Sequence, residues 1–195
     1  MATATFYFDL GSPFAYLAAE RIDELLPGPL IWQPLSLGAL FKLTGRSSWS
    51  LGDPERRRAG IAEVETRTVR YGLPQLRWPK PWPGNYLTAM RAATFADRVG
   101  RGREFALSAF RRSFQHGRDL SLPAEVFAAA GDAGLDPQEV EAATSDPKVK
   151  LALREATEAA HRLGVFGVPT FALGGELFWG DDRLEDASAA LAGAT

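Results

Sequence analysis

The segment TFYFDLGSPFAYLAAERIDELLPGPLIWQP, residues 5–34, predicts a strand, a helix and a second strand. Residues 5–9 are rich in aromatic side chains, which is typical of a buried strand. Residues 14–26 repeat apolar side chains at spacings of three and four, which predicts an amphipathic helix. Prolines and a glycine end that helix, and residues 30–34 form the second predicted strand. A strand–helix–strand unit implies two parallel strands joined by a right-handed crossover.

The C-terminal part predicts a hairpin and a final helix. Residues 168–173 (VPTFAL) and 176–179 (ELFW) flank a Gly-Gly pair that suits a tight turn. The stretch Gly180-Asp181-Asp182 then begins a helix that runs to about Leu191. The element order is therefore βαβ, helices, ββα. This order predicts an α/β protein with a thioredoxin-like fold, in which a large all-helical insertion separates the βαβ and ββα halves.

The region between the two halves is predicted to be helical. Apolar periodicity and start and stop signals indicate helices over residues 55–71, 86–99, 103–116, 123–130, 137–144 and 147–163. We therefore expect a discontinuous thioredoxin-like domain at 1–40 and 162–195, with a helical insertion domain at 41–161. The alternative, an unrelated all-α domain flanked by small β elements, is disfavoured by the βαβ start.

Composition excludes several classes of protein. The 195 residues are 46% hydrophobic and 24% charged, as in ordinary soluble proteins, and no apolar run is long enough for a membrane span. Zero cysteines exclude disulfides, thiolate metal sites and cysteine nucleophiles, and two histidines argue against a metal site. The net charge of −2 gives no reason to expect nucleic acid. The first apolar stretch contains Asp9 and lacks a basic n-region, so we expect a cytoplasmic protein.

Ser12 lies in the turn before the first predicted helix. A serine before a proline is a good N-cap, and most such serines have no other role. In thioredoxin-like redox proteins, however, this turn carries the CxxC nucleophile. A hydroxyl here could donate a hydrogen bond to a thiolate brought by a ligand, worth about 1.5–3 kcal/mol, with about 0.3–1 kcal/mol from the helix terminus. Together these effects would lower the pKa of a bound thiol by about one to three units.

Val168-Pro169 precedes the third predicted strand. Taken alone, a proline here is typical of the start of an edge strand. In the thioredoxin arrangement a cis proline at this point faces the first helix, and the backbone of the preceding residue pairs with an extended peptide ligand. We therefore predict that the Val168-Pro169 peptide bond is cis.

Four parts of the chain together resemble a known family. They are FYFDLGSPFAYLA, WQPLSLGALFKLTG, WPKPWPGN, and HRLGVFGVPTF followed by ELFWGDDRL. In this order they resemble the 2-hydroxychromene-2-carboxylate isomerase family, which is close to kappa-class glutathione transferases and more distantly similar to DsbA oxidoreductases. The resemblance extends over nearly the whole chain, and its most specific part is the joint occurrence of SPFAYLA, GVFGVPTF and WGDDRL.

The resemblance implies a glutathione site. It implies that Ser12 contacts the glutathione sulfur, that the backbone of Val168 before Pro169 binds the cysteinyl part, and that Asp181 and Asp182 hold the γ-glutamyl end. The carboxylate of Asp182 can pair with the γ-glutamyl ammonium. Relatives often carry a neutral residue at the position of Asp181, so we expect this residue to act through its backbone. A plain N-cap role for Asp181 is the alternative.

The resemblance also implies that Lys42 and Asn85 bind the substrate. Lys42 would pair with a substrate carboxylate or stabilise an enolate, although a solvated lysine explains it equally well. Asn85 could simply be a turn residue. Four tryptophans could form apolar walls or pack in the core: Trp49, Trp78, Trp82 and Trp179. His116 and His161 are predicted in the last turns of helices, and we expect neither to be catalytic.

The function implied by the resemblance is glutathione-dependent isomerisation of an aromatic 2-oxo acid. A 2-hydroxychromene-2-carboxylate type of substrate would become a trans-o-hydroxybenzylidenepyruvate by reversible thiolate addition, bond rotation and elimination. The expected partners are glutathione, a small aromatic electrophile and a second copy of the chain in a homodimer, with no membrane or nucleic acid. The alternatives are a kappa-class-like glutathione transferase or peroxidase, and a non-catalytic DsbA-like peptide-binding module. The absence of a CxxC motif excludes dithiol oxidoreductase chemistry.

Overall fold

A four-stranded mixed sheet forms the centre of the protein, whose computed structural model describes residues 3–193. The strands are β1 (Ala4–Phe8), β2 (Leu30–Pro34), β3 (Thr170–Leu173) and β4 (Glu176–Trp179). Their order is β2-β1-β3-β4, with β1 and β2 parallel and the other two pairs antiparallel. This topology confirms the predicted thioredoxin-like fold.

Ten α-helices surround the sheet in the part of the chain that the structure describes. They are α1 (Pro13–Ala19), α2 (Ile22–Leu25), α3 (Leu37–Thr44), α4 (Pro54–Arg70), α5 (Leu87–Arg98), α6 (Gly102–Phe114), α7 (Pro123–Asp132), α8 (Pro137–Ser145), α9 (Pro147–Arg162) and α10 (Leu184–Gly193). The same described residues contain two short 3-10 turns, at Trp49–Leu51 and Asp181–Arg183.

Proline and a capping side chain set the start of several helices. A side-chain oxygen accepts a hydrogen bond from a backbone N–H in the first turn, and proline follows as the first helical residue. The caps of this kind are Ser12, Asp53, Asp136 and Asp146. These signals are local, which is why the predicted starts of α4, α8 and α9 agree closely with the structure.

Two features near the start of the chain differ from the prediction. The helix expected over 14–26 is divided into α1 and α2, because the chain turns at Glu20 and Arg21. The side chain of Arg21 at this break pairs with Glu185, and its guanidinium lies 3.6 Å from the ring centroid of Tyr71. The short helix α3 was not predicted from its own pattern, although Ser36 caps its start and Gly45, with φ 68°, ends it.

Both faces of the sheet are covered. Phe6 and Phe8 of β1 point to one face and are fully buried, and the ring of Phe8 lies 5.9 Å from that of Phe110 in α6. Tyr7 points to the other face, where it packs with Leu40 of α3 and Ala160 of α9. This alternation follows from the period of two along a strand.

One continuous core joins the sheet to the helices that follow it. Its largest cluster of buried side chains includes Phe171 of β3 together with Phe105 and Phe114 of α6. The predicted boundaries, 1–40 with 162–195 against 41–161, assign α9 to the insertion, whereas Ala160 of α9 packs on the sheet. The division into two domains therefore stays a prediction. Within residues 3–193, no helix is long and apolar enough to cross a membrane.

Candidate active site

A cavity of about 430 Å³ opens where the chain leaves β1. Most of its walls come from four segments that are distant in sequence: the turn and helix start at 11–14, the connection from α3 to α4 at 46–50, the residues before β3 at 166–169, and the end of β4 with the residues after it at 179–183. Helix α4 adds side chains along one side. Five of the residues assigned to glutathione from the sequence meet here: Ser12, Val168, Pro169, Asp181 and Asp182.

Ser12 caps α1 and still has a hydrogen to donate. Its backbone is extended (φ −92°, ψ 114°), and its Oγ accepts a hydrogen bond from the N–H of Ala15 at 3.2 Å. The residue is only 6% exposed, yet it lines the cavity. Among residues 3–193, no acceptor takes the hydroxyl proton of Ser12. The N-cap role and a ligand-binding role are therefore compatible, because the first uses a lone pair of the oxygen and the second uses the hydroxyl hydrogen.

The peptide group before Pro169 is available to a ligand. The Val168-Pro169 bond is cis, which confirms the prediction. The neighbours of Val168 are held in place, since the Gly180 N–H donates to the Pro169 carbonyl at 3.0 Å and the Thr170 hydroxyl donates to the Gly167 carbonyl at 2.7 Å. Within the described chain, the N–H and carbonyl of Val168 itself make no hydrogen bond. A buried peptide group without a partner favours binding of a ligand that supplies one.

The carboxylate of Asp181 is held by two residues, Arg67 of α4 and Tyr71, which is the C-cap of that helix. Its carboxylate is 1% exposed and accepts hydrogen bonds from the Arg67 guanidinium at 2.7 Å and from the Tyr71 hydroxyl at 3.0 Å. Both carboxylate oxygens are thus engaged, and the residue is not the N-cap of the 3-10 turn, a position that Gly180 occupies. Its backbone carbonyl accepts hydrogen bonds from Arg21 at 3.5 Å and from the Leu184 N–H, which leaves the backbone N–H of Asp181 for a ligand.

Burial and charge shift the pKa values in this cluster. Burial raises the pKa of Asp181, and Arg67 and Tyr71 offset part of that effect. Burial, and then the neighbouring Asp181, raise the pKa of Tyr71 to about 12, so its phenol stays protonated and can donate. For Arg67, burial lowers the pKa, but the carboxylates of Asp181, Glu63 and Asp182 raise it above its usual value.

Arg67 is a functional candidate that no sequence pattern singled out. It lines the cavity and pairs with Glu63 at 2.5 Å, with Asp181 at 2.7 Å and with Asp182 at 3.2 Å. The sequence shows it as one arginine in a strongly polar helix, with Glu63 four residues before it. That spacing signals only a surface ion pair.

Asp182 differs from Asp181 in its exposure. Its side chain is 55% exposed at the cavity, and its contact with Arg67 engages one carboxylate oxygen. The carboxylate is therefore accessible to a cation brought by a ligand. Arg183, the next residue, also lines the cavity and pairs with Asp186 of α10.

Aromatic side chains form much of the remaining wall. The ring of Trp49 lies 5.9 Å from that of Phe14 and 5.4 Å from that of Trp82, and all three line the cavity. Trp179 lies on the opposite segment, with Phe166 beside it at 4.8 Å. Trp78 does not line this cavity but packs against Trp82, with the ring centroids 4.7 Å apart and the planes tilted by 59°. Three of the four tryptophans considered from the sequence are thus wall residues.

The two predicted substrate-binding residues lie elsewhere. Lys42 is exposed on α3 and does not line the cavity. Asn85 is exposed in the connection before α5, where its Oδ1 accepts a hydrogen bond from the N–H of Leu87 at 3.1 Å. The histidines are also absent from the lining: His161 is in the last turn of α9, and His116 follows α6.

Asp9 is buried next to the cavity and binds the backbone of two residues that line it. It is 6% exposed, and its two carboxylate oxygens accept hydrogen bonds from the N–H groups of Gly11 and Leu37, each at 2.8 Å. Burial raises the pKa of Asp9 from 3.8 to about 6, despite these two hydrogen bonds, which lower it. Because Gly11 and Leu37 both line the cavity, Asp9 fixes the turn of Ser12 relative to α3.

Comparisons with known proteins agree with this architecture. A family model described as DSBA-like thioredoxin domain matches residues 3–192. The 2-hydroxychromene-2-carboxylate isomerase of Sphingobium xenophagum is 28% identical over 187 residues, which cover 94% of each chain. Human glutathione S-transferase kappa 1 is 37% identical over 204 residues, covering 94% of this chain and 88% of the relative.

A solved structure has the same fold as this chain. The structure of a 2-hydroxychromene-2-carboxylate isomerase superposes with a TM-score of 0.84 at 24% identity, covering 98% of this chain and 95% of the other. The strand order, the cis proline before β3 and the cavity beside Ser12 fit the same fold. The chain therefore belongs to the DSBA-like thioredoxin domain family, within which it resembles 2-hydroxychromene-2-carboxylate isomerases and kappa-class glutathione transferases.

Proposed function

We propose that this protein is a glutathione-dependent isomerase of an aromatic 2-oxo acid, of the 2-hydroxychromene-2-carboxylate type. The observation that carries the proposal is one cavity in which the free hydroxyl proton of Ser12 and the unpaired peptide group of Val168 occur together. The chain has no cysteine, so a thiol used here must come from a ligand. Relatives named as isomerases, at 28% and 29% identity, support the reaction class.

The cavity residues fit glutathione. The N–H and carbonyl of Val168 can pair with the cysteinyl part of the tripeptide, as an added strand would. The exposed carboxylate of Asp182 can pair with the γ-glutamyl ammonium. The backbone N–H groups of Asp181 and Asp182 suit the γ-glutamyl carboxylate as hydrogen-bond donors. Those of Arg183 and Leu184 already donate to the carbonyls of Gly180 and Asp181.

In the proposed reaction, the hydroxyl of Ser12 donates a hydrogen bond to the sulfur of glutathione. Bound glutathione would supply a thiolate that adds reversibly to the conjugated carbon of the substrate. A hydrogen bond to a charged group is worth about 1.5–3 kcal/mol, which lowers the thiol pKa by about one to two units. Helix α1 has only seven residues, so we assign this lowering to the hydroxyl and not to a helix dipole.

The aromatic wall favours a flat, apolar substrate. Trp49, Trp82 and Phe14 present ring surfaces on one side of the cavity, and Phe166 and Trp179 present them on another. Such surfaces bind aromatic compounds and exclude water from the reacting atoms.

A second candidate function is glutathione conjugation, as in kappa-class transferases. It is favoured by the human kappa-class relative, whose identity of 37% exceeds the 28% of the Sphingobium isomerase. The two functions share one site and differ in whether the thioether is a product.

One experiment separates these functions. The purified protein is incubated with glutathione and 2-hydroxychromene-2-carboxylate, and in parallel with an aromatic electrophile that carries a leaving group. We expect the absorbance of the first substrate to change to that of its isomer while free thiol stays constant. A stable thioether with loss of thiol would indicate a transferase instead. Isomerisation at the same rate without glutathione would overturn the proposal.

A further inference from the structure

The cavity has more positive charge than its own carboxylates can neutralise. Four arginines line it, and two of them are paired: Arg67 with three carboxylates, and Arg183 with Asp186. Within residues 3–193, Arg46 and Arg56 make no ion pair. An anion that enters this cavity therefore meets two cations that have no competing carboxylate.

Arg46 is the one of these two that is held in position. It follows Gly45, which ends α3 with φ 68°. Its guanidinium lies 4.7 Å from the ring centroid of Phe166 and 5.5 Å from that of Trp179. In the described chain, no ion pair, hydrogen bond or ring contact fixes the side chain of Arg56.

The contact with the rings leaves the donors of Arg46 free. A guanidinium that packs its face on aromatic rings keeps its N–H groups in the guanidinium plane, where they can donate two parallel hydrogen bonds to a carboxylate. Both rings under Arg46 line the cavity as well. An anionic group bound at Arg46 would therefore lie next to an aromatic surface, which matches an aromatic acid.

We propose that Arg46 is the residue that binds the carboxylate of the aromatic 2-oxo acid substrate, with Phe166 and Trp179 holding both the guanidinium and the substrate ring. This inference rests on the proposed function, because it names the substrate's anchor in that same cavity. It replaces the assignment of the substrate carboxylate to Lys42, which is exposed outside the lining.

Binding to the glutathione-free protein tests Arg46 independently of catalysis. Calorimetry compares phenylpyruvate, an aromatic 2-oxo acid, with its methyl ester on the wild type, Arg46→Gln, Arg46→Lys and Arg70→Gln. Arg70 is an exposed arginine of α4 outside the cavity, so its variant controls for loss of one charge. We expect Arg46→Gln to weaken binding of the acid about tenfold or more, with no change for the ester. Arg46→Lys keeps the charge without the paired donors and should be intermediate.

Steady-state kinetics then assign the effect to the substrate. For Arg46→Gln we expect KM for the 2-oxo acid to rise about tenfold or more while kcat stays within about twofold, and glutathione affinity to be unchanged. Equal losses for acid and ester, undetectable binding of the acid to the wild type, or a loss confined to glutathione affinity would each overturn the role of Arg46. Failure of the wild type to isomerise would overturn the proposed function, while the phenylpyruvate titrations would still decide the role of Arg46.

Discussion

The hydroxyl group of Ser12 has two roles. Its oxygen caps helix α1, and its proton is available for a hydrogen bond to a ligand. The oxygen accepts from the Ala15 N–H, so its loss removes a helix cap, whereas the proton has no acceptor among the described residues. These two roles can be measured separately because the first affects unfolding and the second affects a bound thiol.

We expect Ser12→Ala to destabilise the protein by about 1 kcal/mol and to raise the pKa of bound glutathione by about one to two units. Thiolate absorbance during a pH titration measures the second effect, and denaturant unfolding measures the first. Ser36→Ala is the matched control, because Ser36 caps α3 in the same way but does not line the cavity. An identical thiol pKa in wild type and Ser12→Ala would contradict the assigned role.

Asp9 makes the free energy of unfolding depend on pH. Its pKa is about 6 in the folded protein against an ordinary 3.8, so the folded state binds this proton more tightly than the unfolded chain does. The contribution of Asp9 to the free energy of unfolding therefore falls as pH rises from about 4 to above 6, by about 3 kcal/mol.

Urea unfolding of wild type and Asp9→Asn between pH 4 and pH 7 tests this prediction. Other carboxyl groups titrate in the same window, so the difference between the two slopes isolates Asp9. We expect the variant to lose the decline, whatever its absolute stability. Parallel curves for the two proteins would show that Asp9 does not keep its proton in the fold.

At the scale of elements, Arg67 connects α4 to the turn that begins α10. Asp181 is fully buried, and Arg67→Gln leaves its carboxylate with Tyr71 as its remaining side-chain partner. We expect denaturant unfolding to show a decrease of about 3 kcal/mol in the free energy of unfolding. Arg58→Gln on the same helix removes an exposed pair with Glu55 and should change stability by less than about 0.5 kcal/mol. Equal effects of the two substitutions would contradict this.

Helix α4 also approaches the 3-10 turn of Trp49 closely at Gly60. A Cβ at Gly60 would overlap the indole ring of Trp49, whereas a Cβ at Gly38 of α3 would meet open space. We expect Gly38→Ala to stabilise the protein by up to about 1 kcal/mol through helix propensity. Gly60→Ala should instead displace Trp49, alter tryptophan fluorescence and weaken binding of an aromatic acid. Stabilisation by both substitutions, with unchanged fluorescence, would show that the cavity wall does not depend on this contact.

At the scale of the whole molecule, the continuous core predicts cooperative unfolding. Phe171 of the sheet and Phe114 of α6 belong to one cluster, so the helices between β2 and β3 cannot lose their packing without exposing the sheet. We expect tryptophan fluorescence and far-ultraviolet circular dichroism to report the same denaturation midpoint. Two separated transitions would indicate instead that residues 41–161 fold as an independent domain.

Much of the fold follows from short-range patterns. Aspartate or serine followed by proline predicts where α4, α8 and α9 begin, because capping involves residues only two or three positions apart. The Ser12 turn and the Val168-Pro169 bend were also predictable, since the segments around them resemble a known family. The break between α1 and α2 was not predictable in this way, because Arg21 at that break pairs with Glu185 near the other end of the chain.

The order of strands and helices, the absence of a cysteine nucleophile, and the candidates Ser12 and Val168 could all be read from the sequence. The side chains that surround these candidates became known only from the packing of the folded chain. Arg67 contacts Asp181, 114 positions away, Arg46 contacts the rings of Phe166 and Trp179, and Lys42 lies outside the cavity lining. Periodicity shows only which face of a helix or strand is apolar, whereas these contacts depend on how the helices pack against one another and on the sheet.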